Sequence, residues 1–136
     1  MSRNIQTGQA LIELGIGLAL LAALVMGSLD ISRAWMIANM VTNAARDGAR
    51  IGAVVPSTKR NGSGFITDTS GIKSQVLAEI RDVIPTSGFS VTVSQPTING
   101  VNVVQVRVDA DVPYIFKIIG PTFTVARTAT FRDEGR

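Results

Sequence analysis

The most distinctive pattern in the chain is an interruption of charge. From Leu14 to Leu29 no residue is ionisable, and Leu, Ile or Val occupies eight of those positions. Extending the segment back to Gln9 adds Ala10, Leu11 and Ile12, interrupted only by Glu13. As a helix, the segment of about 21 residues spans roughly 31 Å, the thickness of a bilayer core. Each mid-helix Leu, Ile or Val favours insertion by about 0.3–0.6 kcal/mol. Glu13 opposes insertion strongly only at the bilayer centre, and it lies near the N-terminal end of the segment. Arg3 and the start amine favour keeping that end on the cytoplasmic side.

Helical patterning continues past the apolar stretch. Ile31, Ala34, Ala38, Val41, Ala45, Gly48 and Gly52 recur at alternating spacings of three and four. This predicts a narrow, coiled-coil-like seam of mostly small residues. Asn39, Asn43, Arg46, Asp47 and Arg50 fall on the other side. No proline occurs between Gln9 and Val55, so one helix of about 70 Å is expected over 9–55. An 80-residue remainder cannot bury it, and much of it must be covered by lipid or other chains.

The rest predicts a small α+β head. Residues 56–71 carry Pro56, Gly62, Gly64 and Gly71 among Ser, Thr, Lys, Arg and Asn, which reads as loop. Ile72, Val76, Leu77, Ile80, Val83 and Ile84 form one apolar face of a helix that Pro85 stops, and Ser87-Gly88 turns the chain. Phe89, Val91 and Val93 alternate as a strand. Asn99-Gly100 is a strong hairpin signal, and Val104, Val106, Val108, Ala110 and Val112 form the return strand. After Gly120-Pro121, residues Phe123, Val125, Arg127, Ala129 and Phe131 alternate as a third strand. The expected fold is therefore α+β. A long N-terminal transmembrane helix precedes a head, 72–136, of one helix and a three-stranded antiparallel sheet.

Composition narrows the function. The chain of 136 residues has no His and no Cys, which removes imidazole bases, thiol nucleophiles, zinc thiolate sites and disulfides. A net charge of +3 with 5% aromatics is too mild a bias for a nucleic-acid surface. An enzyme would have to rely on the carboxylates Glu79, Asp82, Asp109 and Asp111. Asp109 and Asp111 share a strand face, which could hold paired acids or calcium, but a solvated face explains the spacing more simply. Gly62-Ser63-Gly64 lacks the Lys-Ser/Thr and helix of a phosphate loop. No cofactor or metal is expected.

The candidate chemistry lies on the long helix. Gly8 ends a polar leader, and five residues later Glu13 stands alone in apolar sequence. A lone anion in lipid needs a partner. Cleavage after Gly8 would create one, the α-amine of Gln9, on this chain or on a neighbour. Gly15, Ala19, Ala23 and Gly27 lie four apart, a stripe that lets helix backbones approach closely. Asp30 with Arg33, and Asp47 with Arg50, are spaced to pair at i,i+3.

The Gly8-Gln9-Ala10-Leu11-Ile12-Glu13 junction resembles the cleavage site of type IV prepilins, in which a membrane peptidase cuts after glycine and the mature fifth residue is glutamate. More narrowly, residues 8–55 resemble TadE-like proteins of the tight-adherence (Tad, or Flp) pilus system. The match rests on Gly8 to Leu14, Asp30-Ile31-Ser32-Arg33 and Ala44-Ala45-Arg46-Asp47-Gly48-Ala49-Arg50. Val112-Pro113-Tyr114, Gly120-Pro121 and the run from Ala129 to Glu134 also resemble that family's C-terminal strands. The resemblance implies a non-enzymatic pseudopilin or minor pilin with leader 1–8 and a membrane segment at about 9–29. It would be processed by the prepilin peptidase and would assemble with other pilin or pseudopilin subunits and pilus assembly platform proteins. It would sit in the bacterial cytoplasmic membrane, N-terminus inside and head outside, or enter an extracellular pilus. Two other readings are a secretory signal peptide, with Arg3 as n-region and Leu14 to Met26 as h-region, and an uncleaved single-pass anchor for a periplasmic interaction domain.

Overall fold

The computed structural model describes residues 3–81 and 88–134, with side chains from residue 8 onward. Helix α1, Arg3–Ala53, runs unbroken for 51 residues, about 76 Å at the α-helical rise. It closes with Val54 and Val55 N–H groups donating to the Ile51 and Gly52 carbonyls, each at 3.3 Å. Pro56, which cannot continue a helix, follows. A 3-10 turn, Ser57–Lys59, leads to α2, Ser70–Ile80. The first turn of α2 is organised by Asp68, whose Oδ1 accepts the Ser70 N–H at 2.8 Å. Hydrogen bonds from Ser70 hold the Asp68 carboxyl below the usual carboxylate range. The helix ending expected at Val83, Ile84 and Pro85, the turn residue Ser87, and Asp82 lie outside the described residues.

The sheet contains β1, Phe89–Ser94; β2, Thr97–Ile98; β3, Val101–Pro113; and β4, Thr122–Arg132. All pairings are antiparallel, with β3 between β1 and β4 and β2 paired to the start of β3. The first of the three expected strands is β1, and the short β2 that follows it is not among them. Ser94 faces Gln105 and Thr97 faces Asn102, so β1 and β2 keep one register across the break. Pro96 makes the break because it has no N–H for the ladder. Its carbonyl still accepts the Val103 N–H at 3.1 Å. The hairpin turns at Asn99 and Gly100, with φ of 51° and 78°, the left-handed pair that a two-residue type I′ turn requires.

The second half of α1 lies across the inner face of β3 and β4, with α2 beside it. Val104, Val106, Val108, Ala110 and Val112 alternate inward and meet Ile37, Val41, Ala44, Ala45 and Ala49 of α1 and Ile72, Val76 and Ile80 of α2. The small-residue seam is therefore filled by the chain's own head, by α2 as well as the sheet. A sheet and α2 are wider than one helix, so the buried stripe is broader than the expected seam: Ala44, Ala49 and Ala53 join Val41, Ala45, Gly48 and Gly52. Ile31, expected at the seam's start, is exposed, and the buried stripe begins at Asp30. Gly48 and Gly52 are required by close approach. A Cβ on Gly48 would stand 2.5 Å from Val76 Cγ2, and one on Gly52 2.6 Å from Val104 Cγ1.

Candidate membrane and assembly surface

The N-terminal half of α1 projects away from this core. Its most apolar 18-residue window has a mean hydropathy of 2.2, and none of that window is buried inside the protein. Leu11, Ile12, Leu14, Ile16, Leu18, Leu20, Leu21 and Leu24 are all more than half exposed. So large a continuous apolar surface marks a contact with lipid or another chain. This helix is long and apolar enough to serve as a single-pass membrane anchor.

Gly8, Gln9 and Glu13 all lie on this projecting half. A Cβ on Gly8 would meet nothing within 4 Å. Glu13 is exposed and makes no hydrogen bond or ion pair with the described residues. Gly15, Ala19 and Ala23 are exposed and Gly27 is half-buried. Added Cβ atoms on Gly15 and Gly27 would also meet open space. The helical glycines thus divide into two classes. On α1, Gly48 and Gly52 are small because the head presses on them; Gly8, Gly15, Gly17 and Gly27 are small with no other described residue packed against the Cβ position.

At the end of the apolar half the structure replaces the expected Asp30–Arg33 pair with another arrangement. The Asp30 side chain is buried, at 1% exposure. Its carboxylate accepts the Ile115 N–H at 2.9 Å and the Phe116 N–H at 3.2 Å, both from the loop between β3 and β4. Arg33 Nη1 donates to the Pro113 carbonyl at 3.2 Å. The Asp30 carboxylate is buried and needs donors, and the part-buried loop N–H groups supply them in place of its i,i+3 pairing. The expected Asp47–Arg50 pair is not formed either. Both residues are exposed, where solvent leaves such a pair little net gain. Asp47 instead lies close enough to Glu79 on α2 for their charges to interact. Partial burial, and secondarily the Asp47 charge, push the Glu79 carboxyl above its ordinary range. Arg46 joins Thr42, Arg127 and Thr130 in a shallow groove of about 290 Å³ between α1 and β4.

Two of the carboxylates considered for catalysis, Asp109 and Asp111, are otherwise engaged. Asp109 receives the Arg107 guanidinium at 2.9–3.0 Å, and that hydrogen bonding lowers its pKa. Asp111 accepts the Thr124 hydroxyl at 2.6 Å. Both lie on the polar outer face of the sheet. Among the described residues no group of three acidic side chains converges as a metal site.

Sequence reasoning missed a buried ion pair. Arg60 Nη1 and Nη2 donate to Asp133 at 2.6 and 2.7 Å, with both side chains less than a tenth exposed. The guanidinium also donates to the carbonyls of Val55, Gly64 and, at 3.5 Å, Gly52. All five of its N–H donors are thus used. It joins the carbonyl end of α1, the following loop and the segment after β4, while the Glu134 N–H donates to the Ala53 carbonyl at 3.3 Å. In sequence Arg60 sits in a run of loop residues, and nothing near it signals a partner 73 positions away.

Residues 8–50 fit the family model described as TadE-like protein. No curated protein and no solved structure matches the chain. The matched segment begins at Gly8, contains the exposed apolar half of α1 and the Asp30–Arg33 boundary, and ends within the packed half. The matched segment, about a third of the chain, is similar to TadE-like proteins, the family that the sequence itself resembles.

Proposed function

We propose that this protein is a TadE-like pseudopilin or minor pilin, a membrane-anchored structural subunit in the biogenesis of Tad (Flp) type IV-like pili. One observation carries the reading: a rigid helix whose apolar half is bare while its other half is packed by its own head. Such a helix suits a subunit that waits in the bilayer and then packs against neighbours. The TadE-like match supports a pilus-associated, structural role. In this reading the head lies outside the cytoplasmic membrane and Arg3 stays inside.

We further infer that a prepilin peptidase cuts between Gly8 and Gln9. The chain's own packing does not demand glycine at position 8. The demand would then come from the enzyme that reads the junction. Glu13, unpartnered among the described residues, would pair with the α-amine of a processed Gln9 on this or a neighbouring subunit. Gly15, Ala19, Ala23 and Gly27 would form the close contact between helices. Partner subunits and assembly platform proteins would occupy the bare surface. The uncleaved single-pass anchor is the second reading, favoured by the unbroken course of α1 from Arg3 through Gly8.

Counting pili on producing cells tests the role. Removing this chain should abolish or sharply reduce piliation, and the native chain should restore it. A Glu13→Ala chain should insert in the membrane to the native level yet fail to restore pili. Normal piliation without the chain would overturn the assembly role. Full rescue by Glu13→Ala would remove the pairing role.

A further inference from the structure

The loop between β3 and β4 carries a feature that the pilus role does not use. The chain leaves β3 at Pro113, whose carbonyl is held by Arg33. It is next held at Ile115 and Phe116 by Asp30. Three positions along α1 correspond to about 4.5 Å, so the loop descends along the helix toward the apolar segment. The Tyr114 N–H donates to the Pro121 carbonyl at 3.2 Å and closes its base. Between those points Ile115, Phe116, Ile118 and Ile119 are 40–59% exposed. Lys117 stands among them with φ 54°.

We propose that this loop is a second membrane contact. It would lie in the headgroup–acyl boundary of the leaflet from which α1 emerges and seat the head on the bilayer. The proposal rests on reading residues 9–29 as a membrane anchor. Phospholipid is the occupant because the loop is continuous with that anchor. Asp30, to which the loop is tied, immediately follows Leu29, the last residue of the uncharged run. If the run fills the hydrocarbon, the loop tip meets the boundary. Its composition suits that position: four large apolar side chains bury shallowly while Lys117 reaches the phosphates. The buried Asp30 carboxylate is shielded from lipid and satisfied by backbone donors. Trp35, 73% exposed, lies about 140° around α1 from Asp30. An indole there suits the interfacial belt on the other side of the helix.

Site-specific fluorescence on the full chain tests the contact. The sequence has no cysteine, so Leu21→Cys, Ile118→Cys and Ser63→Cys each accept a single environment-sensitive label. Ser63 lies in the loop beyond the far end of α1. Each protein is placed in phosphatidylethanolamine–phosphatidylglycerol vesicles containing lipid spin-labelled near the acyl carbonyl, and in parallel in vesicles containing lipid spin-labelled deep in the chain. The label at Ile118 should be quenched by the shallow spin label several-fold more than the label at Ser63, and the label at Leu21 by the deep one. Quenching at Leu21 with none at Ile118 overturns the loop contact and leaves the anchor standing. Absence of quenching at both positions overturns the anchor reading and the loop contact with it. A label at Ile118 shielded from aqueous iodide but untouched by either lipid quencher identifies a protein partner and also overturns the proposal.

Discussion

Arg60 shows how much of this head depends on single side chains. A buried guanidinium with every donor filled is costly to disrupt, because removing Asp133 strands the charge. Asp133→Ala should therefore lower head stability by about 3–5 kcal/mol, read by chemical denaturation in detergent. Glu79 has the opposite sign. Its folded-state pKa is raised, so the folded protein takes up a proton more readily than the unfolded chain as pH falls. The ionised form opposes folding at neutral pH, and the penalty disappears as pH drops through the raised pKa. Glu79→Gln should raise the Tm at neutral pH, with the gain shrinking toward acid. A gain that grows on acidification would contradict this account. The glycines give a third contrast. Gly52→Ala places a methyl 2.6 Å from Val104 Cγ1 and 3.2 Å from Ile72 Cδ1, an overpacking that should cost about 1–3 kcal/mol. Gly15→Ala meets no atom and should leave head stability unchanged.

At the scale of elements, the two halves of α1 were legible in sequence to different degrees. The charge-free run and its length marked the projecting half directly, because membrane-like sequence is a local property. The β3 alternation and the Asn99-Gly100 turn were legible for the same reason. The split at Pro96 was not, since a hairpin register survives a missing donor. The seam was legible but its occupant was not: a three-and-four spacing of small residues signals close packing without naming the partner. Asp30 was misread for a related reason. Its i,i+3 neighbour is visible locally, but the backbone donors it serves are 85 and 86 residues away. Asp30→Ala tests that element-level link. Orphaning these N–H groups should cost about 1–3 kcal/mol and speed hydrogen exchange at Ile115 and Phe116, while amides of α2 stay protected. On the projecting half, Ala19→Leu should weaken subunit crosslinking in membranes without changing insertion, because bulk on the stripe holds neighbouring helices apart.

For the whole molecule, the division of labour lies along one helix. The packed half gives the head a spine, and the bare half carries the junction residues Gly8, Gln9 and Glu13 with the small-residue stripe. The same rigid rod would couple the head to events in the membrane, since no proline or break separates the halves. The central claim is that this rod is a processed pilin-like helix. The most direct test is the intact mass of the membrane-resident chain, expressed with and without a prepilin peptidase. The account predicts a mature chain beginning at Gln9 only when the peptidase is present, and an uncut precursor for Gly8→Leu. A chain that keeps its leader in both conditions, or a new N-terminus beyond Leu24, would contradict it.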